Sequence, residues 1–189
     1  MKKQIGVIGG GILGLSLAYK LQIKYPNKKV YVFEKESSYG IHQSGTNSGV
    51  LHCGLNYLPG SLKAKLSVEG IDEIINYSKE NKLPYDVCGK IIVANTLEEE
   101  KSLEILLNRG IKNGVKGLKM LTAKQLKTRE PYVKASKSLF VPNEGIIDFS
   151  QVMKSLVEKI LINGGEVIFD CKINKLKEFK NNLILYSDK

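Results

Sequence analysis

The sequence predicts an α/β fold that opens on a βαβ unit, and three observations predict it. A short apolar run at residues 4–8 leads directly into Gly9-Gly10-Gly11. Leu13, Leu17, Ala18 and Leu21 then recur at helical spacing across residues 12–25. Pro26-Asn27 stops that helix, and a second buried-looking run follows at residues 30–33. Strand, glycine turn, helix and strand within some thirty residues make one βαβ unit, right-handed by default.

The remaining elements follow from the same signals. Residues 37–60 are polar, punctuated by glycine and without periodicity, and a loop of that length in a folded domain is usually functional or disordered. Residues 61–81 read as an amphipathic helix and residues 87–94 as a strand. A charged surface helix over 96–113 opens on a Thr96 cap with Glu98, Glu99 and Glu100 in its first turn, where carboxylates meet the positive end of the helix dipole. Residues 122–129 form a short Thr-capped helix stopped by Pro131. A strand at 138–141, a helix at 149–163 closed by Gly164-Gly165, and a strand at 166–173 come next. Residues 176–180 and 182–186 read as a hairpin turning at Asn181-Asn182. The chain stops soon after that hairpin, whereas an α/β nucleotide-binding domain needs further parallel strands to cover its edge; a truncated product or a split gene is the expectation.

Composition narrows the function classes. The 189 residues suffice for one domain with a sizeable insertion, and 42% apolar content supports a packed core. No stretch approaches the roughly 20 apolar residues of a membrane helix, and no secretory signal is recognisable. Cys53, Cys88 and Cys171 are odd in number and widely spaced, so neither a disulfide framework nor a zinc site is expected. A soluble, cytoplasmic protein with reduced thiols is the reading. The net charge of +10 invites nucleic acid, but Arg109 and Arg129 are the only arginines and the lysines form no stripe. Nucleic-acid binding is therefore not expected. Attraction to the anionic inner face of the cell membrane is left open.

Chemistry concentrates in Gly9-Gly10-Gly11-Ile12-Leu13-Gly14, a GxGxxG placed between strand and helix. Gly9 permits the tight turn, Gly11 lets backbone approach a pyrophosphate, and Gly14 lets the helix pack on the sheet. The pyrophosphate would sit on a helix N-terminus carrying about half a positive charge. Glu34 closes the second strand twenty residues past Gly14, where a carboxylate accepts hydrogen bonds from ribose hydroxyls. A 2′-phosphate beside it would be repelled, which disfavours NADP. The fingerprint alone does not separate FAD from NAD.

The separation comes from the next segment. Residues 40–52 read Gly-Ile-His-Gln-Ser-Gly-Thr-Asn-Ser-Gly-Val-Leu-His and continue through Cys53-Gly54-Leu55-Asn56-Tyr57-Leu58-Pro59-Gly60 to Lys65. This block closely resembles the L-2-hydroxyglutarate oxidase/dehydrogenase family, among the FAD-dependent oxidoreductases of the D-amino-acid-oxidase type. Cys88-Gly89-Lys90, Arg109-Gly110, Asn113-Gly114-Val115, Glu130-Pro131 and Gly145-Ile146-Ile147-Asp148 extend the match to about residue 170. The resemblance implies a Rossmann-type FAD-binding domain with an inserted α+β substrate-domain segment, C-terminally truncated. It implies an FAD-binding first part over 1–82, a partial substrate segment over 83–145 and a second, incomplete FAD-binding part over 146–189.

The resemblance also assigns roles. Gly9, Gly11, Ile12, Leu13 and Gly14 would hold the pyrophosphate, and Glu34 and Lys35 the adenosine ribose and its surroundings. Gln43, Ser44, Asn47, Ser48 and Gly49 would line the diphosphate and flavin. The strand ending at Ile173 would bring backbone to the adenine edge. For His52 three readings compete: a general base or substrate ligand, a residue that only tunes the flavin, and a satisfied core histidine. His42 is expected to contact loop backbone, Tyr57 and Lys63 to take packing or solvent-facing roles ahead of an approach to a substrate carboxylate, and Cys53 to be a small packing residue.

The implied reaction is hydride transfer from C2 of a 2-hydroxy acid to flavin N5, with a base taking the hydroxyl proton; L-2-hydroxyglutarate would yield 2-oxoglutarate. A quinone, an electron-transport chain or oxygen would reoxidise the flavin. Members of the family are roughly twice this length, so a second chain supplying the C-terminal half is an expected partner. The alternatives are a non-catalytic FAD-binding remnant, one subunit of a split enzyme, or a glycerol-3-phosphate dehydrogenase-like flavoenzyme. The last shares the His-x-Gly-Leu-x-Tyr pattern of residues 52–57 but would want an arginine at Asn56.

Overall fold

The two apolar runs that flank the glycine turn pair as the βαβ pattern requires. In the computed structural model, which describes residues 4–180 and 182–188, β1 (Ile5–Ile8) and β2 (Val30–Phe33) lie parallel, Ile5 opposite Val30 and Ile8 opposite Phe33. α1 (Ile12–Lys24) joins them. The chain divides into two compact units, one running to Ser48 and resuming at Asp148, the other spanning Gly49–Ile147. The division at 48 and 147 differs from the expected one at 82 and 145, because the helix over 62–80 packs with the second unit.

In the first unit the sheet order is β1-β2-β9, with β9 (Glu166–Ile168) parallel to β2. β1 is an edge, with β2 as its one strand partner among the described residues. α5 (Phe149–Ile162) packs against α1 and β9. Leu15, Ala18, Val30, Val32 and Ile160 are wholly buried there, each of the larger side chains worth about 1.5–3 kcal/mol of transfer free energy. α1 buries Leu15, Ala18 and Gln22, so of the expected Leu13, Leu17, Ala18 and Leu21 it is Ala18 that is buried, while Leu13 is 85% exposed. Gln22 tolerates burial because its Nε2 donates to Ile160 O at 3.0 Å. Asp148 caps α5, accepting from Ser150 N at 2.8 Å and Gln151 N at 3.3 Å.

The expected strand over 166–173 is two elements. β9 ends at Ile168, Asp170 adopts φ +50°, and β10 (Ile173–Phe179) starts a hairpin with β11 (Asn182–Ser187). Ile173 therefore opens β10 instead of closing β9. Of the expected Asn181-Asn182 turn, Asn181 lies outside the described residues, and Asn182 pairs with Phe179 as the first residue of β11.

The second unit holds two antiparallel sheets. β3 (Val50–Leu51), β8 (Gly145–Ile147) and β4 (Tyr85–Asp86) form one, in the order β3-β8-β4. β5 (Lys90–Ala94), β7 (Lys137–Val141) and β6 (Lys119–Thr122) form the other, in the order β5-β7-β6. The expected strand over 87–94 begins only at Lys90, since Gly89 turns the chain at φ +79°. α3 (Leu97–Lys112) and α4 (Ala123–Arg129) pack on the second sheet, each opened by a reciprocal capping box, Thr96 with Glu99 and Thr122 with Gln125. α2 (Leu62–Glu80) is capped by Ser61, whose hydroxyl accepts from Ala64 N. No described helix is long and apolar enough to cross a membrane.

Candidate functional site

The glycine turn of the first unit has the geometry its spacing demands. Gly9 sits at φ +109°, a conformation side chains rarely adopt, and its N–H donates to Phe33 O at 2.8 Å. A Cβ on Gly14 would lie 1.9 Å from Gly9 O, so only glycine lets α1 approach the turn this closely. Gly11 is the N-cap of α1; no side chain of its own caps the helix and no acidic residue occupies the first turn. The exposed N-terminal amides and the helix dipole therefore present positive potential outward. Ile12 N donates to Ser44 Oγ at 3.0 Å, which brings the Ser44 hydroxyl to the rim of this cradle.

Glu34 is 8% exposed at the end of β2. Its Oε2 accepts from Gly10 N at 2.5 Å and its Oε1 from Glu36 N at 2.9 Å. The glycine fingerprint assigns Glu34 to the ribose alone and gives no sign of these backbone partners. A carboxylate offers about four lone-pair sites, so two bonds leave acceptor capacity for ribose hydroxyls. Lys35 turns its ammonium to Glu36 at 3.0 Å, and His42 Nε2 meets the same oxygen at 2.9 Å. The His42 bond first, and Lys35 second, hold the Glu36 carboxyl below its ordinary value. His42 thus meets a carboxylate side chain, not the loop backbone expected of it.

The loop after β2 is folded on itself. Gly40 N donates to Gly10 O at 3.2 Å, and Asn47 Nδ2 donates to Ser44 O at 2.8 Å and Gln43 O at 3.3 Å. Gln43, Ser44 and Asn47 are thereby brought together, while Ser48 is exposed at the end of the unit. Past the short β9, Asp170 N and Cys171 N donate to Glu36 O and Glu34 O at 2.9 and 2.8 Å, so the chain leading to Ile173 is tied to the acidic end of β2.

A second cluster lies in the second unit. Gly49 adopts φ +66°, with its carbonyl accepting from Ile147 N at 2.8 Å. The pairing of β3 with β8 sets Val50 opposite Ile146 and Leu51 opposite Gly145, and His52 and Glu144 flank that last pair. The Glu144 side chain is 1% exposed. It forms an ion pair with Lys90, approaches His52 Nδ1 at 3.7 Å and accepts from Cys53 Sγ at 3.5 Å. Burial, then the neighbouring Glu144 charge, pushes the Cys53 thiol up to about 11, so it is a neutral donor. His52 itself is half exposed, which does not match a satisfied core histidine. The one sign of Glu144 in the sequence is an acidic residue in a Pro-Asn-Glu-Gly turn between two apolar runs. Tyr57 lies beneath the Lys63 ammonium at 4.6 Å.

The family model for FAD dependent oxidoreductases matches residues 4–184. The chain belongs to the FAD dependent oxidoreductase family. Among curated relatives, the L-2-hydroxyglutarate dehydrogenase of Indibacter alkaliphilus is 40% identical over 189 residues, all of this chain and 47% of that protein. The mitochondrial L-2-hydroxyglutarate dehydrogenase of Homo sapiens is 37% identical over 178 residues, 94% of this chain and 38% of that protein. The chain spans less than half the length of these relatives. Among solved structures, an L-alpha-glycerophosphate oxidase from Mycoplasma pneumoniae with FAD bound superposes with a TM-score of 0.88 at 25% identity, over 98% of this chain and 50% of that one. A glycine oxidase from Geobacillus kaustophilus superposes at 0.87 and 17% identity, over 97% and 51%, a likeness of fold. The resemblance read from residues 43–65 is borne out, as is the α/β fold.

The first unit of this member of the FAD dependent oxidoreductase family fits the family's cofactor on its own geometry. A Cβ at Gly11 would stand 3.0 Å from Ser44 Oγ, narrowing the N-terminus of α1 where a diphosphate needs to lie. A buried carboxylate stands at the end of β2, where the FAD ribose is held in this fold.

Proposed function

We propose that this chain supplies the dinucleotide-binding part of an oxidoreductase that converts a 2-hydroxy acid, L-2-hydroxyglutarate, into 2-oxoglutarate. The observation that carries the reading is 40% identity along the whole chain to an L-2-hydroxyglutarate dehydrogenase. Gly9, Gly11, Ile12, Leu13 and Gly14 hold the FAD diphosphate through backbone amides. Glu34 accepts the ribose hydroxyls and Lys35 flanks them, and backbone at Ile173 meets the adenine edge. Gln43, Ser44, Asn47, Ser48 and Gly49 line the diphosphate and the flavin. When bound, FAD supplies the acceptor for the hydride leaving C2. His52 takes the hydroxyl proton of the substrate, a step for which imidazole is suited near neutral pH.

The remainder of the flavin pocket and of the substrate contacts we assign to polypeptide corresponding to the rest of the relatives' length, whether continuous with this sequence or a second chain. The electron acceptor is a quinone, an electron-transport chain or oxygen, and the compartment is the cytoplasm or the inner face of the cell membrane.

Fluorescence titration with FAD tests the cofactor assignment: the chain alone is expected to bind FAD measurably but lose it on dialysis, because part of the cradle lies outside it. An absence of binding sinks the reading, and tightly retained stoichiometric flavin sinks its claim of incompleteness. In the enzyme reconstituted with the remaining polypeptide, His52→Ala is expected to lower kcat for L-2-hydroxyglutarate by about 10²–10⁴-fold with flavin content unchanged. Normal turnover would remove His52 from the mechanism.

A further inference from the structure

We propose that Glu144 is the positioning residue of His52: its buried carboxylate keeps the imidazole proton on Nδ1 and leaves the Nε2 lone pair facing outward to receive a proton. The inference rests on the reading of His52 as the base. It is carried by geometry within the second unit alone. The β3–β8 pairing ends at Leu51 opposite Gly145, and His52 and Glu144 are the residues that flank this last pair, His52 Nδ1 standing 3.7 Å from Glu144 Oε1. The carboxylate is 1% exposed while the imidazole it faces through Nδ1 is 47% exposed, so the ring meets a buried charge and still keeps about half of its surface open.

A carboxylate taken out of water must be matched by donors, because an unpaired buried charge costs several kcal/mol. Lys90 answers one side of Glu144 as an ion pair. Among the described residues Oε1 meets the Cys53 thiol at 3.5 Å, a weak donor, and His52 Nδ1 at 3.7 Å. A hydrogen bond from Nδ1–H needs the gap to close by less than about 1 Å, to the 2.7–3.2 Å range, and catalytic contacts often tighten only when ligand binds. The thiol cannot take over as the charge partner, since it stays protonated up to about pH 11. A histidine with Nδ1–H held by a buried carboxylate is fixed in orientation and tautomer, and the imidazolium it becomes on accepting a proton at Nε2 is stabilised by the same charge.

The chain has two histidines, His42 and His52, so His42→Gln leaves a single imidazole to observe. Long-range ¹H–¹⁵N correlation spectra of that variant, recorded about two pH units above the ordinary histidine value of roughly 6.5, read which nitrogen carries the proton. The expected result is protonated Nδ1 and bare Nε2, the reverse of the tautomer favoured by a histidine free in water. Adding Glu144→Gln, which keeps the shape and an acceptor oxygen but removes the charge, should move the Nδ1 nitrogen and proton resonances upfield. A dominant Nε2–H tautomer, or Nδ1 resonances indifferent to Glu144→Gln, would overturn the proposal. These readouts need no flavin. An Nδ1–H tautomer in a chain that fails to bind FAD keeps the contact and removes the proposed function, whereas an Nε2–H tautomer in a chain that binds FAD removes the contact alone.

Discussion

Gly10 and Glu34, twenty-four residues apart, are joined by a hydrogen bond of 2.5 Å from the turn amide to the buried carboxylate. The carboxylate that the fingerprint reserves for a ligand is thus also a brace for the turn that precedes the helix. Glu34→Gln retains the shape but offers one acceptor oxygen where Gly10 N and Glu36 N need two. One amide is left facing an NH₂ group, at a cost of about 1–3 kcal/mol. Urea unfolding should show the lower midpoint, and FAD titration a weaker affinity. An unchanged midpoint means the brace contributes nothing.

Gly11 and Gly14 separate binding from folding. Gly14→Ala sets a methyl group 1.9 Å from Gly9 O, a backbone atom that cannot move alone, and is expected to destabilise by about 3 kcal/mol or more. Gly11→Val meets the Ser44 side chain at 3.0 Å, which can rotate, so the fold survives while FAD binding is lost. Thermal melts and flavin titrations of both variants check the contrast. Equal loss of stability in the two, or normal FAD affinity in Gly11→Val, contradicts it.

Asp148 caps α5 through two backbone amides and the Gln151 side chain. Asp148→Ala is expected to cost about 1 kcal/mol, the usual value of such a cap. The Gln151 bond, ahead of the amides, holds the carboxyl below its ordinary 3.8. A lowered folded-state value means the contribution is complete above pH 3.8 and fades as pH falls through the folded value. The gap in Tm between the two proteins should therefore close in acid; a gap constant down to pH 2 would argue against the carboxylate as its source.

The three thiols differ in access. Cys88 is exposed, whereas Cys53 and Cys171 are buried. A disulfide reagent at neutral pH should modify Cys88 rapidly and the other two only after unfolding. Because the Cys53 value rises from 9.0 to about 11 on folding, its neutral thiol favours the native state below pH 9, and that preference drains away between pH 9 and 11. Cys53 reacting as fast as Cys88 in the native protein would refute the burial described for it.

The βαβ unit was legible because its constraints are local: a turn at Gly9, a glycine at 14 and an acid at 34 all fall on one contiguous stretch. β3, β4 and β8 were not, since strands of two or three residues have no period to detect. Asp170 in a left-handed conformation broke a run that its apolar neighbours made look continuous. Leu13 and Leu17 suggested the wrong face of α1, because the buried stripe includes Gln22, whose polarity is answered from α5 far along the chain. Glu144 escaped notice for the same reason. Its partner Cys53 is ninety-one residues away, and only strand pairing reveals that the two are neighbours.

The edge position of β1 has a colloidal consequence. With one lateral neighbour among the described residues, β1 offers its other row of amides and carbonyls to any extended segment, and Ile8, more than half exposed, adds an apolar reward for docking there. Self-association by strand addition is opposed by mutual repulsion between molecules carrying +10 charges. Salt weakens that repulsion, with a screening length of roughly 10 Å at 0.1 M and 3 Å at 1 M, and leaves the edge untouched. Dilute buffer is expected to keep this chain dispersed, and concentrated salt to be the condition under which it first precipitates.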